Sequence, residues 1–498
     1  MHNAAIDASK WAKSVVRQNE ITRYLSSRKD FIDEEVINRA IKKNVSADKT
    51  KIKDILAKSL AIETLTLDEA AFLLNVEDPE LLELMQETAL NIKLKVYDSR
   101  IVTFAPLYMG NKCINNCLYC GFRRDNLNAQ RRILTSQEIQ REVEILAGKI
   151  GHKRLIVVYG EHPETDINYM VGSIKNIYGV KVKTRCGYGQ IRRVNVNAAP
   201  MCIEDLVRLK EAGIGTYQVF QETYHHQTYT KLHPQDTVKG NYPWRLYCMH
   251  RAFEAGIDDV GIGALFGLYD WRFEIMGLLT HSRELESRFG IGPHTISFPR
   301  MEPADNTTYN CSSPYLVSDD NFRKIMVIIR LSVPYAGMII TAREKAQIRR
   351  DAFRFGCTQT DASSCIGVGG YSEGLAFQAG DRQQFILGDT RSLEEVIHEY
   401  ADMGYITSFC TAGYRCGRTG KCIMDLLRSG QEGRFCKLNA VLTFREWLDD
   451  FASEATKKAG ERIIRKELAE IENKLPEFYP KLMEHYEKTS EGGRDLYF

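Results

Sequence analysis

The stretch "NKCINNCLYCGF", beginning at Asn111, sets Cys113, Cys117 and Cys120 within eight residues, and the residues that follow, "GFRRDNLNAQ", supply no further Cys or His. Thiols at CxxxCxxC spacing suit a metal. A structural zinc ion takes four ligands in a closed tetrahedron, so a zinc reading needs a distant fourth donor. An iron-sulfur cube held by three thiolates instead leaves one iron coordinatively open, and a small molecule can bind metal there.

S-adenosylmethionine (SAM) can fill such a vacancy through its amino and carboxylate groups, which sets its sulfonium beside an electron source. One electron breaks the S–C5′ bond, and the resulting 5′-deoxyadenosyl radical removes a hydrogen atom from substrate. Other candidates follow along the chain. "VVYGEHP" closes on Gly160-Glu161, "YQVFQETYH" places Gln221 and Glu222 at another strand's end, and "GIGALFG" carries Gly261 and Gly263, where missing side chains permit close approach to the backbone. A Gly-Glu pair alone is also an ordinary strand exit.

Residues 1–100 read as a helical region: "DEEVINRAIKKN" and "PELLELMQETALNIKLKV" carry apolar residues at three- and four-residue spacing. From 101 to 388 short β-rich runs alternate with helical ones. The predicted strands are "RLIVVYG" (Arg154), "RRVNVN" (Arg192), "GTYQVFQ" (Gly215), "DDVGIGALFG" (Asp258), "HTISFP" (His294) and "YAGMIIT" (Tyr335). Between them lie "SQEIQREVEILAGKI", "CIEDLVRLKEAG" and "YPWRLYCMHRAFEAG", two of which end in the Gly expected just past a helix. This alternation predicts an α/β fold, a parallel (β/α) barrel with functional groups at the carboxyl ends of its strands. Residues 389–498 hold a cysteine- and glycine-rich segment, Cys410 to Cys436, then charged amphipathic helices.

With 498 residues the chain exceeds what one core supports, and its formal charge of +2 gives no electrostatic reason to propose a nucleic-acid or membrane partner. The amino terminus lacks the apolar run of a signal peptide. "KIMVIIRLSVPYAGMIIT" is interrupted by Arg330 and Pro334, which argues against a membrane span. Thirteen cysteines without an export signal predict thiols and metal ligands in a reducing, cytoplasmic setting. Cys186, Cys202, Cys248, Cys311 and Cys357 read most simply as core residues.

The cysteine motif, with an aromatic before its last Cys, resembles the radical SAM superfamily. "CINNCLYCGF", "YQVFQETYHHQTYTKLHP", "AGIDDVGIGALFGLYDWRFE", "GPHTISFPRMEPA", "GDTRSLEEV" and the terminal "RDLYF" resemble the iron-iron hydrogenase maturases of HydG type, radical SAM tyrosine lyases, from about Lys51 to Phe498. The resemblance implies a TIM-like (β/α)8 barrel with helical extensions at both ends. It implies cleavage of tyrosine at Cα–Cβ to p-cresol and a glycine-like imine, which an auxiliary cluster with an extra iron turns into iron-bound carbon monoxide and cyanide. A sister family in thiamine synthesis stops at the imine, 2-iminoacetate. A non-catalytic iron-sulfur scaffold is a third reading, against which the complete cysteine loop argues.

By position, the resemblance makes Cys113, Cys117 and Cys120 the ligands of the SAM 4Fe–4S cluster, and puts Gly160, Glu161, Gln221, Glu222, Gly261 and Gly263 on SAM. Arg300 in "SFPR" becomes the grip on the tyrosine carboxylate, with a surface ion pair as its other reading, and His281 in "GLLTHSRELE" a ligand of the extra iron. The implied partners are SAM, L-tyrosine, an electron donor such as a ferredoxin or flavodoxin, and a maturation partner protein. Two departures stand out. The auxiliary cluster's CxxC and distant Cys reduce here to Cys410 and Cys436, with Gly413 in the middle position and Cys416 and Cys422 as the thiols nearby. Cys365, in "CTQTDASSCIGVGGY", stands where the family usually has an arginine.

Overall fold

The computed structural model describes residues 7–44, 48–374, 380–429 and 432–498. The first six residues of the helical amino-terminal region lie outside that set. Eight strands pair in parallel and in sequence: β1 (Arg100–Gly110), β2 (Arg154–Tyr159), β3 (Arg193–Asn197), β4 (Tyr217–Gln218), β5 (Val260–Gly263), β6 (Thr295–Ser297), β7 (Gly337–Ile340) and β8 (Gln359–Asp361). β8 returns to β1 through Val102↔Gln359, Thr103↔Thr360 and Phe104↔Asp361, so the barrel predicted from the alternating pattern closes.

All six predicted strands are present, and β1 and β8 join them. Every residue of β1 is buried, as an apolar strand covered on both faces must be. Its Pro106 reads as a strand breaker, but it lies beyond the last β1–β8 pair, Phe104↔Asp361, where a missing N–H leaves that ladder intact. β8 is three residues of mixed polarity and carries no periodicity to detect.

A ninth strand, β9 (Ile406–Ser408), pairs with the amino-terminal end of β1 through Arg100↔Ile406 and Val102↔Ser408. It sits where β8 leaves β1 uncovered, and so carries the following residue, Phe409, and then Cys410 under the base of the barrel. Helix Glu432–Phe451 packs on β9, and helices Glu454–Lys474 and Tyr479–Ser490 pack on it in turn. The terminal "RDLYF" returns to that helix: Arg494 clamps Asp450 at 2.8 and 2.9 Å, and the Phe498 N–H donates to Asn439 Oδ1 at 2.9 Å.

Helix Ser136–Ile145 opens on a reciprocal cap between Thr135 and Glu138. The segment predicted as one helix from Tyr242 breaks at Tyr247 into Tyr242–Leu246 and Cys248–Glu254. At the other end of the chain, helices Glu34–Lys43 and Leu67–Leu74 pack against Trp271–Phe289, and Pro79–Tyr97 packs against Asp319–Ser332, collaring the barrel. No helix among the described residues is long and apolar enough to cross a membrane. All thirteen cysteines are free thiols. Cys248 and Cys357 are core residues as expected, whereas Cys186 and Cys311 are exposed and Cys202 is half-buried, because these three lie on loops and helix ends at the barrel's outside.

Candidate active site at the carboxyl end of the barrel

The loop after β1 is pinned from within. Asn111 accepts from the Arg132 N–H at 2.7 Å and donates to the Gln130 carbonyl at 2.7 Å. The Arg131 guanidinium gathers the carbonyls of Asn111, Phe122, Arg123 and Asn126 at 2.6 to 3.1 Å. The Ile114 N–H reaches the Glu161 carbonyl at 2.8 Å, tying the loop to the end of β2. Gly160 makes that approach possible, since a Cβ there would stand 2.2 Å from the Lys112 carbonyl oxygen.

The loop delivers Cys113, Cys117 and Cys120 to one wall of a cavity of about 230 Å³ whose lining includes no fourth cysteine and no histidine. Burial pushes the Cys113 thiol up to about 11 and Cys117 up to about 12. Thiols so placed shed their protons only beside strong positive charge, which iron supplies. Amide donors are already aimed at sulfur: Asn115 Nδ2 lies 3.8 Å from Cys113 Sγ and Gln384 Nε2 lies 3.5 Å from Cys120 Sγ. Three thiols, Cys117 buried and Cys113 and Cys120 half-buried, with an open position and no zinc-completing ligand in the lining, fit a 4Fe–4S cluster with one iron available.

Glu161 and Glu222 line the same cavity. Burial raises the Glu161 carboxyl, against the pull of a hydrogen bond from the Asn115 amide. For Glu222 burial acts the same way, but Lys239 at 2.7 Å and Arg245 at 3.3 Å outweigh it and hold the carboxyl below its ordinary range. Glu222 has φ +74°, a left-handed conformation that costs a non-glycine residue and that the surrounding ion pairs sustain. These carboxylates and cations match the ammonium, ribose hydroxyls and carboxylate of SAM. Lys239 and Arg245 carry no sequence signal: they come from the segment between β4 and β5 at no diagnostic spacing.

Four expectations meet a different arrangement. Arg300 does not line this cavity; it pairs with Glu344 and with Asp319 at 2.7 Å, and its guanidinium lies 4.4 Å from the Phe322 ring centre. Its donors are taken by the buried Glu344 and the exposed Asp319. Gln221 is buried behind the wall, its amide without a partner among the described residues. Gly261 and Gly263 are absent from the lining too. A Cβ on Gly261 would stand 2.6 Å from Gln218 and Thr295 atoms, and one on Gly263 2.7 Å from Phe220 and Ser297 atoms, so these glycines serve barrel packing.

His281 is the fourth. It is a buried core histidine on helix Trp271–Phe289, 3.0 Å from the Tyr224 hydroxyl and packed among Phe31 and His250, with burial pushing it down to about 3. Besides Lys239 and Arg245, the cavity gains two further residues that carry no sequence signal, Glu302 and Arg343, from the loops after β6 and β7.

The base of the barrel holds a second constellation. Cys436 hydrogen-bonds Cys410, which, despite burial, holds the Cys410 thiol well below its ordinary value with help from Arg193, Arg154 and Arg100. His152, edge-on to Phe409, and His294 both lie at this end; His294 Nδ1 is 3.8 Å from Asp259, Asp259 pairs with Arg193 at 2.7 Å, and Arg193 Nη1 lies 4.0 Å from Cys410 Sγ. His294 stands just before β6, at the amino end, where Cys410 also sits. Cys416 and Cys422 are exposed, and Cys416 points at the Phe498 carbonyl, 3.6 Å away. At Gly413 a Cβ would meet only the Arg418 carbonyl, at 3.7 Å.

A closed parallel barrel with a three-thiol loop at the carboxyl end of its first strand defines the class of radical SAM enzymes. Two family profiles match, "Radical SAM superfamily" over residues 107–276 and "Biotin and Thiamin Synthesis associated domain" over 297–406. A crystal structure of HydG, a maturase of the FeFe-hydrogenase, is 46% identical with a TM-score of 0.89, covering 94% of this chain and all of that one. HydG from Carboxydothermus hydrogenoformans is 35% identical with a TM-score of 0.74, covering 95% of this chain and 99% of that one. The 2-iminoacetate synthase of Salmonella typhimurium is 27% identical over 70% of this chain and 87% of its own length. The chain belongs to the radical SAM superfamily and, within it, to the HydG family: it is a radical SAM lyase whose cofactors are a 4Fe–4S cluster and SAM.

Proposed function

We propose that the enzyme cleaves the Cα–Cβ bond of L-tyrosine to p-cresol and 2-iminoacetate in the cavity at the carboxyl end of the barrel. One observation carries this reading. The Arg343 guanidinium lines the cavity, stacks 3.2 Å from the Phe385 ring centre, and has no carboxylate partner among the described residues. A planar fork of donors left unpaired inside a cavity suits a substrate carboxylate. Phe104, Tyr108, Ile339 and Leu387 line the apolar remainder, which suits an aromatic ring. Cys365 does not line it; its N–H donates to the Tyr371 hydroxyl at 3.1 Å, so loss of an arginine at that position leaves Arg343 in place.

Cys113, Cys117 and Cys120 would hold the cluster, and Glu161, Glu222, Lys239 and Arg245 would hold SAM. Bound there, the pair would supply the 5′-deoxyadenosyl radical, and a small electron-transfer protein, such as a ferredoxin or flavodoxin, would deliver two electrons per turnover, one to cleave SAM and one, with a proton, to complete p-cresol from the released side chain. Arg343 would orient the tyrosine, and the apolar wall would exclude water from the site.

The imine leaves the enzyme unprocessed, because Gly413 deprives the base of the barrel of a third thiolate beside Cys410 and Cys436. A second reading, conversion of the imine to iron-bound carbon monoxide and cyanide for hydrogenase assembly with a maturation partner, is favoured by one observation: Cys410, Cys436 and His294 share the base. Product analysis tests both. Protein reconstituted without oxygen, given SAM, reductant and tyrosine, is expected to yield p-cresol with glyoxylate from imine hydrolysis. Cyanide and carbon monoxide establish the second reading, 5′-deoxyadenosine without p-cresol refutes tyrosine as substrate, and no SAM cleavage leaves the scaffold reading.

A further inference from the structure

Four carboxyl groups line the cavity, and three have evident occupations. Glu161 accepts from the Asn115 amide, Glu222 is paired with Lys239 and Arg245, and Asp361 accepts from the Ala342 N–H at 2.7 Å and from the Ser364 hydroxyl. Glu302 is different. Its carboxylate has no hydrogen-bond or ion-pair partner among the described residues, although its backbone is held firmly: Asn310 Nδ2 donates to the Glu302 carbonyl at 2.6 Å and to the Tyr119 carbonyl at 3.0 Å. That shared amide ties Glu302 to the cysteine loop.

Glu302 and Arg343 also share a second position in the fold. Both lie on the partition between the main cavity and an adjoining outer one of about 330 Å³, where Arg300 and Glu344 form the far wall. Arg300 is taken by Glu344 and Asp319, so it leaves Glu302 unneutralised. A half-buried carboxylate without a partner is unfavourable until a cation arrives.

We propose that Glu302 and Arg343 together clamp the zwitterionic end of an α-amino acid, Arg343 taking the carboxylate and Glu302 the ammonium group. The clamp specifies the substrate class; that the side chain is tyrosine rests on the reading above. Burial, then Glu344, push the Glu302 carboxyl up to about 7, against Arg343, Arg300 and Lys345, the other charged groups that act on it. Its readiness to pair therefore changes near neutral pH. An ammonium group delivered beside it restores the ionised form.

The test is equilibrium dialysis of cluster-loaded, SAM-bound protein without reductant, comparing L-tyrosine with 3-(4-hydroxyphenyl)propanoate, which lacks only the amine. Wild type is expected to prefer tyrosine by about tenfold or more, the scale of a charge-assisted hydrogen bond. Glu302→Gln is expected to lose that preference by weakening tyrosine and leaving the analogue within about twofold. Tyrosine binding by wild type should strengthen as pH rises through about 7, while the variant's stays flat. Equal loss of both ligands, or of neither, in a variant with wild-type iron content and circular dichroism overturns the clamp. Wild type that ignores tyrosine but prefers another α-amino acid over its deaminated counterpart, through Glu302, overturns the tyrosine reading and keeps the clamp. Wild type that binds no α-amino acid overturns both.

Discussion

Arg343 lies on the partition between the two cavities and Arg300 on the far wall of the outer one, and their surroundings give them opposite roles. Arg343 stacks on Phe385 and offers its donors to the cavity, whereas Arg300 is held by Glu344 and Asp319. Arg343→Ala should therefore raise the KM for tyrosine or lower p-cresol formation by about 10- to 100-fold, with iron content unchanged, because a charge-assisted contact is worth about 1.5 to 3 kcal/mol. Arg300→Ala should instead cost about 3 kcal/mol of stability, read as a lower denaturant midpoint, since it strands the buried Glu344 carboxylate. The folded fraction should retain its KM. If the two variants exchange these phenotypes, the placement of the substrate carboxylate is wrong.

Among elements, the carboxy-terminal helix Glu432–Phe451 is fastened beneath the barrel by Glu446, fully buried between Lys153 at 3.0 Å and Arg192 at 2.8 Å. Burial opposes its charge, but Arg192 and Lys153 win and hold Glu446 down at about 2, below its unfolded value of 4.5. A depressed carboxylate contributes stability above the unfolded value, and loses it as pH falls from about 4.5 through about 2; here that is on the order of 3 kcal/mol. Thermal unfolding of wild type should show that acid loss, and Glu446→Gln should be less stable at neutral pH with a flatter acid limb. On the neighbouring segment Gly413→Cys should be tolerated, because its new Cβ meets nothing nearer than 3.7 Å. If the missing thiolate is what disables the base site, iron per chain should rise toward two clusters. An unchanged iron count contradicts that.

For the whole molecule, what could be read in the sequence was whatever is local. The alternation from Arg154 to Ile340 predicts the barrel, and CxxxCxxC, Gly160-Glu161 and Glu222 mark the thiol wall because each is a short motif at a strand's end. Strand β1 was hidden by Pro106, and β8 by the polar character of Gln359, Thr360 and Asp361. Lys239, Arg245, Glu302 and Arg343 could not be found this way, since three separate segments bring them together only when the barrel closes. His281 and His294 show the same limit: position along a family pattern selected a helix histidine, whereas His294 stands just before a strand, at its amino end.

The closed barrel separates two chemistries. β1 spans about 33 Å, with the three-thiol loop past one end and Cys410 beside the other. The account stands on an iron of the upper site remaining open to SAM. Electron paramagnetic resonance of the reduced, anaerobically reconstituted protein tests this directly. It predicts a 4Fe–4S signal that shifts when SAM is added, and a shift that disappears when Cys113, Cys117 and Cys120 are all replaced by alanine. A wild-type spectrum indifferent to SAM, or a SAM-dependent shift that survives the triple replacement, would contradict it.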